Sequence, residues 1–380
     1  MKQQTGRKML GILLTLALVL GLIPGMSLTA LATTSYPLYI GDTQVTSANM
    51  GNVLDDGKVS FTPANGDTPA TLTLNGATIT TGMGNSGITY MGNGLLKIKL
   101  SSQNKVNENA SFDCGIRNVS GGGIEISGDG SLTANGFTHG IYSENGSITI
   151  TGGSVVAECT GTQSSYGIRS LNGSITITGG SVKASGSKYG IFAEGSTANI
   201  EISGGSVVAK ANGTFSGSYG IQAGHVTISG GSVEASAVGG TNGNGISSGE
   251  VTISGGSVTA RGNSRGILGN VINTIPGVGW DNTEGTGDGN AIAVNTDPGA
   301  ELGYKKVQFL AEPDPTPIPT AVPTAAPTAA PTAAPTAAPT PTYKPVPKTG
   351  DSTNPALWLG LIFLGLLGAI GTILVKARKR

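Results

Sequence analysis

The chain has 380 residues, of which 63 are glycine, while charged residues make up 12% and aromatics 5%. Lys plus Arg (22) balances Asp plus Glu (22), so no global field recruits nucleic acid, and the charge is too low for ordinary disorder. So few aromatics argue against a typical enzyme core, and so much glycine argues for many short strands between tight turns.

The first 32 residues read as a secretory signal peptide. Lys2, Arg7 and Lys8 precede an uncharged run from Met9 to Ile23, which Pro24 and Gly25 break. Ala30-Leu31-Ala32 then supplies small residues for cleavage after Ala32. The alternative is an uncleaved anchor helix, for which the run is short.

Residues 33–312 carry the informative pattern. Gly-Ile pairs begin at Gly115, Gly140, Gly167, Gly190, Gly220, Gly245 and Gly266, the spacing of one supersecondary unit in a solenoid. Each unit runs Gly-Ile, a turn, an alternating Ile-Thr-Ile stretch, Gly-Gly, then Ser-Val-x-Ala. Ile148 and Ile150 share one face and Thr149 takes the other, and Ile175, Ile177, Val182 and Ala184 repeat the arrangement one unit later. Such short one-sided strands cannot bury their faces alone, whereas coiling stacks each on its counterpart ~4.8 Å away. The expectation is an all-β, right-handed parallel β-helix solenoid with three short strands per rung. The Gly-Gly pair should turn the corner between second and third strands at positive φ. Flanking segments around residues 36–80 and 271–310 read as N- and C-terminal caps over the open edges.

Rung length varies after the Ser-Val-x-Ala strand, the corner where solenoids often place binding surfaces; loops that merely tolerate length remain the alternative. The residue after each rung's first isoleucine should point outward. That column reads Arg117, Tyr142, Arg169, Phe192, Gln222, with Tyr166, Tyr189 and Tyr219 adjoining. Rings and guanidinium groups at rung spacing suit sugar stacking or uronate pairing. Ordinary solvent-facing residues and corner packing are the competing reading. His139 occupies the tyrosines' place in its rung and reads as structural. Residues 140–265 contain no aspartate, and the glutamates there form no obvious cluster, so a lyase or hydrolase is the lesser expectation. No cofactor is required by this pattern. Asp281, Glu284 and Asp288 form an acidic glycine-rich loop suited to calcium or to a plain turn. Cys114 and Cys159 are the only cysteines, at different repeat positions, and a disulfide between them stays open.

Residues 313–345 form a Pro/Thr/Ala-rich stalk with 11 of the 19 prolines, including four successive Pro-Thr-Ala-Ala units. Proline cannot donate to a ladder, so extended polyproline II at ~3.1 Å per residue is expected. Residues 346–351 are Val346-Pro347-Lys348-Thr349-Gly350-Asp351. An uncharged stretch at 356–375, long enough for a transmembrane helix, and a basic cytoplasmic tail at 376–380 follow.

Motif, apolar span and basic tail in this order resemble the sortase sorting signal of cell-wall-anchored proteins, with Val346 where leucine is commonest. The resemblance implies that a sortase cleaves between Thr349 and Gly350 and links Thr349 to peptidoglycan. A helix that simply stays in the membrane is the alternative. Upstream, the run from Leu72 to Ile79 with the Gly-Ile and Ile-Ser-Gly-Gly-Ser-Val rungs resembles clostridial β-helix carbohydrate-binding surface domains. That resemblance implies a cell-surface protein binding plant polysaccharide, pectic or cellulosic, with calcium as an optional ligand. A passive spacer or host-protein adhesin is the rival from a different class.

Overall fold

Alternating inward and outward residues become, in the structure, three parallel ladders wound into one coil. This computed structural model describes residues 33–80, 82, 85–107, 113–293 and 302–311, all within the unit spanning 1–316. The signal peptide, stalk, sorting motif, apolar span and basic tail lie outside the described residues. Among the described residues no helix is long and apolar enough to cross a membrane.

The first ladder begins with Ser86–Tyr90, Cys114–Asn118, His139–Ser143, Tyr166–Ser170 and Tyr189–Ala193. The second contains Ala70–Asn75, Leu96–Ser101, Ile124–Gly128, Ile148–Ile150, Ile175–Ile177 and Asn199–Ile202. The third runs from Thr78–Ile79 to Ser257–Gly262, giving about eight turns in all. Three separate strands per rung do not persist to the end. Tyr219–Ile228, Asn244–Ile253 and Arg265–Asn273 each carry the first and second strands without a break. There the intervening turn shrinks to Ala223-Gly224-His225 or Ser248-Gly249-Glu250, too short to interrupt pairing. The first two ladders thereby belong to one 17-stranded sheet, and the third, with the C-terminal cap, to an 11-stranded one.

Register puts like on like. Ile88, Ile116, Ile141, Ile168, Ile191, Ile221, Ile246 and Ile267 form one fully buried column. Ile148, Ile175 and Ile200 form another, continued by Val226, Val251 and Val271, and the third ladder supplies a valine and an alanine column. Each buried Ile or Val is worth ~1.5–3 kcal/mol gross, and this burial is what holds the coil, whose described residues form no α-helix and whose two cysteines are free.

Glycine marks two places for two different reasons. Gly153, Gly180, Gly205, Gly231 and Gly256, the second of each Gly-Gly pair, have φ between 76° and 78°, the expected positive-φ corner. The glycine of each Gly-Ile pair instead faces the third strand at close range. A Cβ on Gly190 would lie 2.5 Å from Lys210 N and 2.6 Å from Gly220 O.

The coil extends further at both ends than the repeat count suggests. Ala70–Asn75 pairs in parallel with Leu96–Ser101 as part of the ladders rather than the cap, and Val271 still pairs with Val251. The caps proper are antiparallel. Ser35–Ile40 lies against Ser86–Tyr90 at one end. At the other, Lys306–Leu310 sets Val307 on Ala260 and Phe309 on Val258, closing both third-ladder columns with buried apolar groups.

Candidate functional site: a ring and guanidinium face

The chain bends at each Gly-Ile pair, so the residue before the glycine and the residue after the isoleucine both reach the outside of the first ladder. Two parallel columns result. Arg117, Tyr142, Arg169, Phe192 and Gln222 occupy one in register. His139, Tyr166, Tyr189 and Tyr219 occupy the other. All eight residues singled out from the sequence for sugar binding therefore meet on one face.

Rung spacing stacks the rings on each other. Tyr166 and Tyr189 lie 4.8 Å apart at 3° between planes, His139 and Tyr166 5.1 Å apart at 8°, and Tyr189 and Tyr219 5.6 Å apart at 25°. Phe192 sits 4.5 Å from Tyr189, and His139 4.5 Å from Tyr142. Arg169 lies over this stack, its guanidinium carbon 4.6 Å from the Tyr166 centroid and 5.5 Å from that of Tyr142. Near-parallel rings one rung apart turn their faces along the coil, where Tyr166 and Tyr189 are covered on both sides by neighbouring rings. Tyr189 is itself buried, and that burial pushes its phenol up to about 12. The flat stacking of a sugar on a ring, expected from the residue types, thus has little open ring face to use here.

Two glutamates join the face that were not singled out from sequence. Arg117 Nη2 donates to Glu144 Oε2 at 3.4 Å, and Arg169 Nη2 donates to Glu194. Each glutamate stands two residues beyond the outward residue of the next rung, so register would have revealed both pairs. Arg117 Nε, Arg169 Nε and Gln222 Oε1 have no hydrogen-bond partner among the described residues.

His139 belongs to the face as a neutral ring. Arg169 Nη1 lies 3.3 Å from Nε2. A guanidinium N–H can only donate, so Nε2 accepts and the proton sits on Nδ1, 3.0 Å from Thr138 Oγ1. Burial above all, then Arg169 and Arg117, holds its pKa down at about 3. Cys114 and Cys159 are free thiols. Burial pushes each up to about 12, so neither is a ready thiolate. His225 lies on the second ladder beside Asn199 and Glu250, away from His139.

The acidic loop is built as a turn. Asn282 Oδ1 accepts from Gly285 N and Thr286 N, and its Nδ2 donates to Thr286 O. Among the described residues no three His, Cys, Asp or Glu side chains converge, so Asp281, Glu284 and Asp288 are not brought together. The variable corners do stack, as expected: Cys159, Gly161, Ser187, Asn212 and Phe215 from successive rungs line a cleft of about 310 Å³. A larger cleft of about 490 Å³, not foreseen from sequence, lies between the N-terminal cap and the first rungs beside Tyr36, Phe61, Pro69 and Tyr90.

A family model described as beta helix repeat matches residues 175–193 and 251–279. No curated protein and no solved structure matches the chain. Coil and repeat together make this a β-helix protein, an architecture shared by enzymes and non-enzymes alike.

Proposed function

We propose that this is a non-catalytic, polysaccharide-binding β-helix protein displayed on a bacterial cell surface, with the paired columns on the first ladder as its glycan face. The observation that carries the reading is the two Arg–Glu pairs, Arg117–Glu144 and Arg169–Glu194, set two rungs apart beside the stacked rings. A sugar diol needs a donor and an acceptor side by side, and an Arg–Glu pair offers both. Of the six glutamates between residues 140 and 265, Glu144, Glu158, Glu194 and Glu234 each form an ion pair, which favours binding over acid–base chemistry. The coil is taken as right-handed, the preferred hand of parallel crossovers.

Export rests on the signal peptide at 1–32, and display on Pro347, Lys348, Thr349 and Gly350 ahead of the apolar span and basic tail. A sortase would join Thr349 to peptidoglycan, with the stalk spanning the wall. Thr349→Ala is expected to remove the protein from the covalently bound wall fraction; wall linkage as in the wild type would refute the anchoring assignment.

A second reading, a passive spacer, is favoured by the mutual covering of the ring faces, which serves stability without any ligand. A glycan panel run with a product-release assay separates the two. Retention without products, weakened about tenfold or more when Arg117 and Arg169 are both changed to Ala, supports the binding face. Retention on no glycan supports the spacer, and released sugar products refute the non-catalytic assignment.

A further inference from the structure

The glycan face holds both of its arginines in matched pairs, and this bears on the class of polysaccharide it takes. Arg117 and Arg169 are opposed by Glu144 and Glu194. Neither arginine is a free counter-ion for a ligand carboxylate. His139 adds no charge, since its Nε2 accepts from Arg169. Among the described residues the remaining cation against these rings is Lys188, whose Nζ lies 5.5 Å from the Tyr189 centroid at the edge of the stack. An acidic chain carries a carboxylate on every sugar. Laid along the ladder it would meet one free lysine and two fixed carboxylates.

The two pairs also have a defined spacing. Arg117 and Arg169 stand two rungs apart in the same column, with Tyr142 between them. Glu144 and Glu194 repeat at the same interval, one rung further on. Two rungs span about 10 Å, close to the length of two pyranose units in an extended chain. The two donor–acceptor pairs therefore stand about two sugars apart along such a chain.

We infer that the face takes a neutral, extended polysaccharide, engaged through the hydroxyls of alternate sugars, and discriminates against uronate polymers. This rests on the polysaccharide-binding reading above and adds to it the ligand's charge and repeat. Selectivity arises from the two glutamates, which satisfy the arginines and repel carboxylates.

The test uses the full chain with neutral glucan, xylan and mannan on one side and polygalacturonate on the other, each at about 0.15 M and about 1 M salt. The expected result is retention on at least one neutral polymer that survives high salt, with polygalacturonate at least about tenfold weaker. Changing Glu144→Gln and Glu194→Gln together frees both arginines at partly exposed positions. It should raise polygalacturonate affinity by about tenfold or more, in a manner that high salt abolishes. Wild-type protein that binds polygalacturonate as tightly as the neutral polymers would overturn this inference and leave the binding face standing. Unchanged selectivity in the double variant would also overturn it. Retention on no polymer would overturn both.

Discussion

Gly190→Ala should destabilise the coil by about 3 kcal/mol or more, although only one methyl group is added. The new Cβ would lie 2.5 Å from Lys210 N, 2.6 Å from Gly220 O and 2.8 Å from Ala209 C, all of them backbone. No side chain can rotate away, so the third strand or the next rung must move. Positive φ is not the cause, since Gly190 is not among the positive-φ glycines; the interior is simply too narrow at that corner. Gly94→Ala is the matched control, with nothing within 4 Å of its Cβ and an ordinary φ, and should shift stability by under ~0.5 kcal/mol. Denaturant titration measures the difference. Hydrogen exchange should place the damage in Tyr189–Ala193 and its neighbours Tyr166–Ser170 and Tyr219–Ile228, because each rung leans only on adjacent rungs. Equal losses at Gly190 and Gly94 would refute the close-approach explanation.

Acid should loosen the same part of the molecule through His139. The folded ring binds a proton only near pH 3, well below its ordinary 6.5, because burial and then Arg169 and Arg117 oppose a charge there. Between those limits the unfolded chain takes up the proton first. The stabilisation is therefore complete above about pH 6.5 and drains away as pH falls toward 3. The partly exposed ring reduces the full linkage value, leaving about 2–3 kcal/mol lost between pH 7 and pH 4. Protonation would also end acceptance from Arg169 and set a further cation among the stacked rings. His139→Phe keeps a ring in the column without a titrating group. Its stability should fall less across that interval than the wild type's, by about the same 2–3 kcal/mol. Parallel pH slopes for the two proteins would exclude His139 as the source.

How far the sequence reached depended on how regular each rung was. Where Gly-Ile, Ile-Thr-Ile and Ser-Val-x-Ala recur without interruption, the ladders, their inward columns and the positive-φ corners were all legible. The first rungs were not, and Asn104 shows why. It fills a place in the third ladder where Leu132 and Val155 follow. Its buried amide is satisfied, with Nδ2 donating to Ser101 O and Ser131 O and Oδ1 accepting from Ala77 N. A polar residue so held leaves no apolar period to find. Phe309 was likewise placed only in a cap, while the structure seats it on the Val258 column.

Local alternation alone determined that this chain is a coil of short parallel strands, and that Arg117, Tyr142, Arg169, Phe192 and Gln222 point outward, because a period of two assigns every residue a side; Tyr166, Tyr189 and Tyr219, each two residues before an inward isoleucine, join them only because the chain bends at Gly-Ile. Only the tertiary structure decided what those side chains do to one another. Ring planes turned along the coil, Glu144 and Glu194 reaching the arginines, and His139 held neutral all depend on contacts between rungs, the arginine contacts joining residues 25 to 30 positions apart. Such contacts are set by how one rung settles on the next, a distance and an angle that no local pattern of polar and apolar residues encodes.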